Sequence, residues 1–281
     1  MKFIRLFSIA LIIATNGNAQ NLHLNLSAGV SNYNGDLQDK GFTFSQSNFA
    51  GGIGASYDLS NHLSLRTGIV FASLSANDKY GRNAMRNLNF ASRLTEVNAG
   101  VDYYITPLGS HSLTPYIFAG IALYHFNPYT RDTSGTKYYL KPLSTEGEGF
   151  ISGKNNYNLT QIAIPFGAGV KLSLSDNVAV GIEFGYRKLF TDYIDDVSGN
   201  FVDQATLIAN RGTKAAELAY RGDELKNGGP YPASGTVRGS SKKDWYYVTG
   251  FTASFRLFSG NGLGGSGHGR HSKYGCPVNV R

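Results

Sequence analysis

The sequence predicts an all-β protein, an eight-stranded antiparallel transmembrane β-barrel with short turns at one end and long loops at the other. Three observations carry this expectation. Apolar residues alternate with polar or small ones, at period two, in eight separate stretches. The connections between those stretches are alternately short and long, as in bacterial outer-membrane barrels. The chain has 35 Gly, 18 Tyr and 17 Phe with only 16% charged residues, a balance that favours strands and turns over helices.

Taken in order, residues 1–19 of "MKFIRLFSIALIIATNGNAQ" read as a secretory signal peptide. Lys2 and Arg5 precede an apolar run from Leu6 to Ala14, and Gly17 and Ala19 prepare a cut after Ala19. The run is shorter than the roughly 20 residues a spanning helix needs. Strands are then expected at 22–34, 45–58, 62–74, 90–105, 113–126, 157–174, 177–190 and 244–258. In "NVAVGIEFGYRK", Val178, Val180, Ile182, Phe184 and Tyr186 share one face, and Gly181, Glu183, Gly185 and Arg187 the other. "TEVNAGVDYYI" sets Val97, Ala99, Val101, Tyr103 and Ile105 against Glu96, Asn98, Gly100 and Asp102. Likewise Ile162, Ile164, Phe166, Ala168, Val170 and Leu172 oppose Gly167, Gly169 and Lys171. Pro165 lies mid-strand, where it costs a ladder hydrogen bond, so a bulge is expected there. The fifth strand is apolar on both faces near its top.

The charges decide which face is inside. Arg66, Glu96, Asp102, Lys171, Glu183, Arg187 and Arg256 all fall on glycine-rich faces. A narrow lumen accepts small residues and pairs opposite charges, whereas a soluble lipocalin-type barrel puts its apolar face inward. The membrane barrel is therefore the expectation, with residues 20–258 forming it and outer-membrane lipid around it. Tyr57, Tyr103 and Tyr104 at one end, and Tyr33, Tyr186, Phe190, Trp245 and Tyr246 at the other, are expected to form aromatic girdles. Eight strands enclose an interior that side chains fill, so a plugged polar core is expected rather than a pore.

Several segments carry a resemblance. "SNYNGDL" (31–37), "RNLNF" (86–90), "TPYIFAGIALYHFNP" (114–128), "PLSTEGEG" (142–149), "IPFGAGVK" (164–171), "RKLFTDYIDDVSGNFVD" (187–203) and "DWYYVTGFTASFRL" (244–257) resemble the PorG family. These are outer-membrane proteins of the type IX secretion system of the Bacteroidetes. The resemblance implies a small non-enzymatic barrel that works with a periplasmic ring of a PorK-like lipoprotein and a PorN-like protein. It matches least at 204–243 and after 258.

"FTDYIDDVSGNFVD" brings Asp192, Asp195, Asp196 and Asp203 into the longest loop. Calcium needs about six to eight oxygen ligands, and this spacing lacks the glycine and terminal glutamate of an EF-hand. A catalytic pair needs a base or acid beside it, and His125 is the one candidate at the same end. A structural loop is thus the first reading, with a metal site and a loop-borne hydrolase as alternatives. Glu146 and Glu148 in "TEGEG" either join the aspartates or stay solvated.

The segment 259–281 reads as a flexible basic periplasmic tail, with Arg270, Lys273 and Arg281 as candidate partner contacts. Cys276, the single cysteine, would meet an oxidising compartment and offers an intermolecular disulfide or a free thiol. Gly262, Gly264 and Gly267 match a dinucleotide-loop spacing, but no helical pattern follows, so no cofactor is expected. Net charge is +7, or +5 without Lys2 and Arg5, too diffuse for nucleic acid. A barrel binding or passing small hydrophobic molecules is the other functional alternative, and it requires an apolar crevice at the loop end.

Overall fold

A transmembrane strand ring survives only if its last strand hydrogen-bonds to its first, because lipid offers no partner for a free backbone edge. The computed structural model, which describes residues 21–38, 43, 45–240 and 242–257, meets that condition. The signal peptide at 1–19 and the tail at 259–281, with Arg270, Lys273, Cys276 and Arg281, lie outside the described residues.

The strands are β1 Leu22–Asn34, β2 Asn48–Asp58, β3 Leu63–Asn77, β4 Asn89–Tyr104, β5 Leu113–His125, β6 Tyr129–Arg131, β7 Lys137–Tyr139, β8 Thr160–Ser173, β9 Val178–Leu189 and β10 Trp245–Arg256. Eight of them form the ring β1-β2-β3-β4-β5-β8-β9-β10, and antiparallel pairing from His23↔Arg256 to Asn34↔Trp245 closes it. The hairpin β6–β7 hangs off β4 inside a loop. Turns 59–62, 105–112 and 174–177 define one end. The loops L1 (35–47), L2 (78–88), L3 (126–159) and L4 (190–244) define the other. L4 carries two helices, α1 Gln204–Arg211 and α2 Thr213–Ala219.

The alternation works as expected. Phe49, Ile53, Ile69, Phe71, Val97, Ile117, Ile121, Ile162, Ile182 and Phe251 point out and are exposed. So continuous an apolar belt is the face of a barrel in lipid, not of a soluble one. The polar face points in, and glycines make the room. A Cβ on Gly169 would stand 2.5 Å from the Tyr116 ring, and one on Gly185 would stand 2.7 Å from the Arg187 guanidinium. The space those glycines leave is used by the large inward side chains.

The interior is layered. Arg66 bridges Asp102 at 3.0 Å and Glu183 at 2.9 Å, with its guanidinium 4.4 Å above the Phe118 ring. Tyr116 donates to Glu183 at 2.9 Å, and Lys171 donates to the Tyr104 hydroxyl at 2.6 Å. Nearer the loops, Glu96 takes Arg187 at 3.1 Å, Asn98 at 2.7 Å and Tyr246 at 2.5 Å. Above this polar layer a packed apolar plug follows, including Leu74, Phe90, Leu94, Phe126, Leu189 and Ile194. A residual cavity of about 80 Å³ remains beside Arg66 and Glu183, room for a few waters.

Four expectations need correction. No bulge forms at Pro165: Ala119↔Phe166 and Ala122↔Ala163 keep one register, and Pro165 pairs with Arg187 on the other side. The bond proline cannot donate falls on the β5 side, where the ladder lapses at Gly120 and Ile121 without shifting. Arg256 does not join the lumen pairs. It ends β10 at the short-turn rim, where the wall stops and water reaches it. Tyr33, Tyr104 and Tyr246 are not girdle residues but are buried inside. Neighbours along a strand face opposite ways, so Tyr103–Tyr104 and Trp245–Tyr246 can each supply only one outward ring. Finally, the second strand starts at Asn48 and the third runs on to Asn77. The two apolar faces of β5 have a simple cause: Ile117, Ile121 and Leu123 meet lipid, while Tyr116, Phe118 and Tyr124 pack inward.

Two measurements check this arrangement. Arg187→Met strands the Glu96 carboxylate in the lumen and should cost about 3–5 kcal/mol in urea unfolding from lipid, with much of it regained in Arg187→Met/Glu96→Gln. Ile121→Arg should cost about 2–4 kcal/mol if that side chain lies near the bilayer midplane. A neutral result there would refute the outward belt as the lipid face.

Candidate functional site

With the lumen filled, the loop end holds the unexplained chemistry. L4 leaves β9 at Leu189 and turns back over the barrel mouth within a few residues. Asp196 sits at φ +66, a left-handed conformation that aspartate tolerates better than most residues. L3 arrives from the other side, where Gly147 and Gly149, at φ +89 and +81, turn Glu146 and Glu148 inward. Asp192, Asp195, Asp196, Glu146 and Glu148 are all buried as a result.

Their partners come from distant segments. Tyr33 of β1 donates to Asp195 at 2.6 Å and lies 3.0 Å from Asp244, which also accepts the Ile194 amide at 3.0 Å. Asp196 accepts from Thr145 and Tyr157 of L3, both at 2.6 Å. Ser198 donates its hydroxyl to Asp192 at 2.8 Å and its amide to Glu146 at 2.9 Å. Arg238 enters the cluster as a buried cation, donating to Glu146 at 2.9 Å, to the Asp196 carbonyl at 2.6 Å and to the Ala219 carbonyl at 3.1 Å. Arg86 is held by Asp78 at 2.7 Å and reaches the carbonyls of Asp36 and Arg238. These two arginines tie L1, L2 and L4 together. The lid above is apolar, with Val202, Leu207, Ala215, Ala216 and Ala219 packed on Leu143, Phe150 and Ile151.

Six buried carboxylates around one directly paired arginine carry a consequence for their protons. Burial pushes Asp192 and Asp196 up to about 7, and lifts Asp195, Asp244 and Glu148 above the usual carboxylate range. These five therefore hold protons in a range where surface carboxylates hold none.

The sequence-predicted residues divide accordingly. Asp192, Asp195 and Asp196 come together, and Glu146 and Glu148 join them rather than staying in water. Asp203 does not: it is exposed and caps α1, accepting the Thr206 amide and hydroxyl at 2.8 Å. His125 projects from the outer wall of β5, with Nδ1 3.0 Å from the Thr160 hydroxyl, and cannot serve the aspartates. Among the described residues no group of three or more His, Cys, Asp or Glu side chains is disposed to hold a metal ion. The cleft at the loop end, about 940 Å³ between L1, L2 and L4, is walled by Asp36, Arg86, Arg238 and Lys243 and is not an apolar crevice.

Sequence reasoning missed Asp244, Arg238, Tyr33 and Tyr157. Asp244 was within reach: once Tyr246 is known to face inward, the residue two before it does so too. Arg238 had no local signal, because its partners lie across the barrel mouth.

No curated protein matches this chain. Solved structures similar to it include Neisserial surface protein A, at 11% identity over 84% of this chain and 97% of that one, with a TM-score of 0.43. OprG from Pseudomonas aeruginosa is similar at 9% identity over 84% and 97%, with a TM-score of 0.42. Ail of Yersinia pestis, in complex with the heparin analogue sucrose octasulfate, is similar at 9% identity over 83% and 97%, with a TM-score of 0.39. Residues 2–207, well over half the chain, match the family described as a domain of unknown function, DUF6089, and the chain belongs to that family.

Proposed function

We propose that this protein is a non-enzymatic outer-membrane component of the type IX secretion machinery, anchoring or completing the periplasmic ring through protein contacts. The observation that carries the proposal is the sealed barrel. Its lumen is crossed by Arg66–Glu183 and Glu96–Arg187, plugged by Leu94, Phe126 and Ile194, and lidded by L3 and L4. Such a barrel passes no solute, so its surfaces are what it can offer a partner. The resemblance of seven segments to the PorG family supplies the partner class, a ring of a PorK-like lipoprotein and a PorN-like protein.

Orientation follows from chain logic. An exported chain with an even number of strands has both barrel termini on the short-turn side, which is the periplasmic side in outer-membrane barrels. On this reading the long loops face outward and β10 ends on the side of the ring, leaving the segment with Arg270, Lys273, Cys276 and Arg281 as the candidate contact.

The test is a gentle detergent pull-down of the tagged full-length protein from its native membrane, beside a chain truncated after Phe258. Recovery of the ring lipoprotein and its partner with the full chain supports the assembly role. Their loss on truncation makes the tail the contact, and their retention moves it to the barrel or its short turns. Failure to recover either ring protein with the full chain refutes the proposal.

A further inference from the structure

We propose that the carboxylate cluster is a proton-operated latch: protons shared among Asp192, Asp195, Asp196, Asp244 and Glu148, packed around the Glu146–Arg238 pair, hold L3 against L4, and their loss releases the loops from the barrel mouth. The charges facing the cluster do not balance. L1 adds another acid, Asp36, and β1 adds the neutral Tyr33. L2 contributes Arg86, already engaged by Asp78. L3 adds Tyr157 and also Lys154, whose ammonium goes to the Glu146 carbonyl at 2.6 Å. L4 adds Arg238, Tyr193 and the exposed Lys243. One arginine thus serves a group of six buried acids.

The second observation is unmet hydrogen bonding. Glu146 Oε2, Glu148 Oε1 and Asp192 Oδ1 are buried without a donor, although each side chain is at most 2% exposed. The hydroxyl of Tyr124, on β5 and not one of the acids, is fully buried without a partner and within electrostatic reach of Asp244. A buried carboxylate oxygen with no donor is costly as an anion and far less so as a protonated acid. The ligand this geometry calls for is the proton. The cleft walled by Asp36, Arg86 and Arg238 adjoins the cluster through Arg238, which donates to Glu146. The bonds at stake cross between loops: Thr145 and Tyr157 to Asp196, and Ser198 to Glu146.

The sign follows from burial. The folded values lie above the unfolded value of about 4, so the latch is fully engaged below about pH 4. Its contribution falls as pH climbs toward 7, where Asp192 and Asp196 titrate, and falls further as Asp195 and Asp244 ionise.

The experiment is hydrogen exchange of the full chain in lipid nanodiscs, corrected for intrinsic rates, at about pH 5.5, 7 and 8.5. Protection of 144–149 and 192–198 should fall by about tenfold or more across that range, while the barrel strands stay constant. The Asp192→Asn/Glu148→Gln variant, with two fewer acids to ionise, should lose less protection than the unaltered protein at the highest pH. Arg238→Gln, which removes the cation, should move the loss to lower pH. Flat protection in the unaltered protein overturns the proposal, as does a loss shared equally by the barrel strands. An unmoved midpoint in both variants overturns it too, and a variant that fails to fold leaves the unaltered protein's profile to decide.

Discussion

The pairing of β1 with β10 is the constraint from which the rest descends. In lipid a strand edge has no water to satisfy it, so the sheet must close. Closure with eight strands leaves an interior that side chains fill. Every inward residue then has to be small, or paired, or packed against another. Gly169 yields to Tyr116, Gly185 yields to Arg187 and Phe118, and Arg66 finds two carboxylates on facing walls. A lumen packed in this way cannot conduct, and whatever the protein does is displaced to the ends of the barrel.

The period-two pattern makes the ring legible in the amino-acid sequence, because a lipid-facing strand has to alternate and nothing else in the chain does so for as long. The same parity, applied pair by pair, would have assigned Tyr104 and Tyr246 to the interior, where they meet Lys171 and Glu96. Treating aromatics as a class obscured that. Pro165 teaches a related lesson. Proline's cost depends on which neighbour its missing donor faces, and here the β5 ladder loses two pairs without losing register. The cluster was half legible. Local spacing flagged the aspartates of L4 and the glutamates of L3, but not that L3 would fold onto L4. Nor could it show that Arg238 would arrive from some forty residues further along the loop. Contacts closed by long loops leave no periodic trace.

The lumen and the cap answer the problem of buried charge differently. In the lumen each acid is met: Asp102 and Glu183 share Arg66, and Glu96 has Arg187, Asn98 and Tyr246. Removing one partner there leaves an uncompensated charge, so the layer behaves as a fixed structural element. In the cap the acids outnumber the cations, and neutral donors such as Tyr33, Tyr157, Thr145 and Ser198 stand in for them. Hydroxyl donors stabilise a carboxylate less than a guanidinium does, so protonation becomes the way to reduce the burial cost.

That difference separates rigidity from responsiveness within one small barrel. The paired lumen and the lipid belt hold the ring whatever the loops do. The cap shares Ile194 and Val197 with the apolar plug, while Leu74, Phe90, Leu94 and Leu189 come from the strands, so loosening the cap leaves the strand-borne part of the plug in place. The proposed role as an anchor is compatible with a barrel that stays shut. A cap whose closure depends on protons would add, at the loop end, a surface that responds to its surroundings while the paired lumen beneath it stays fixed.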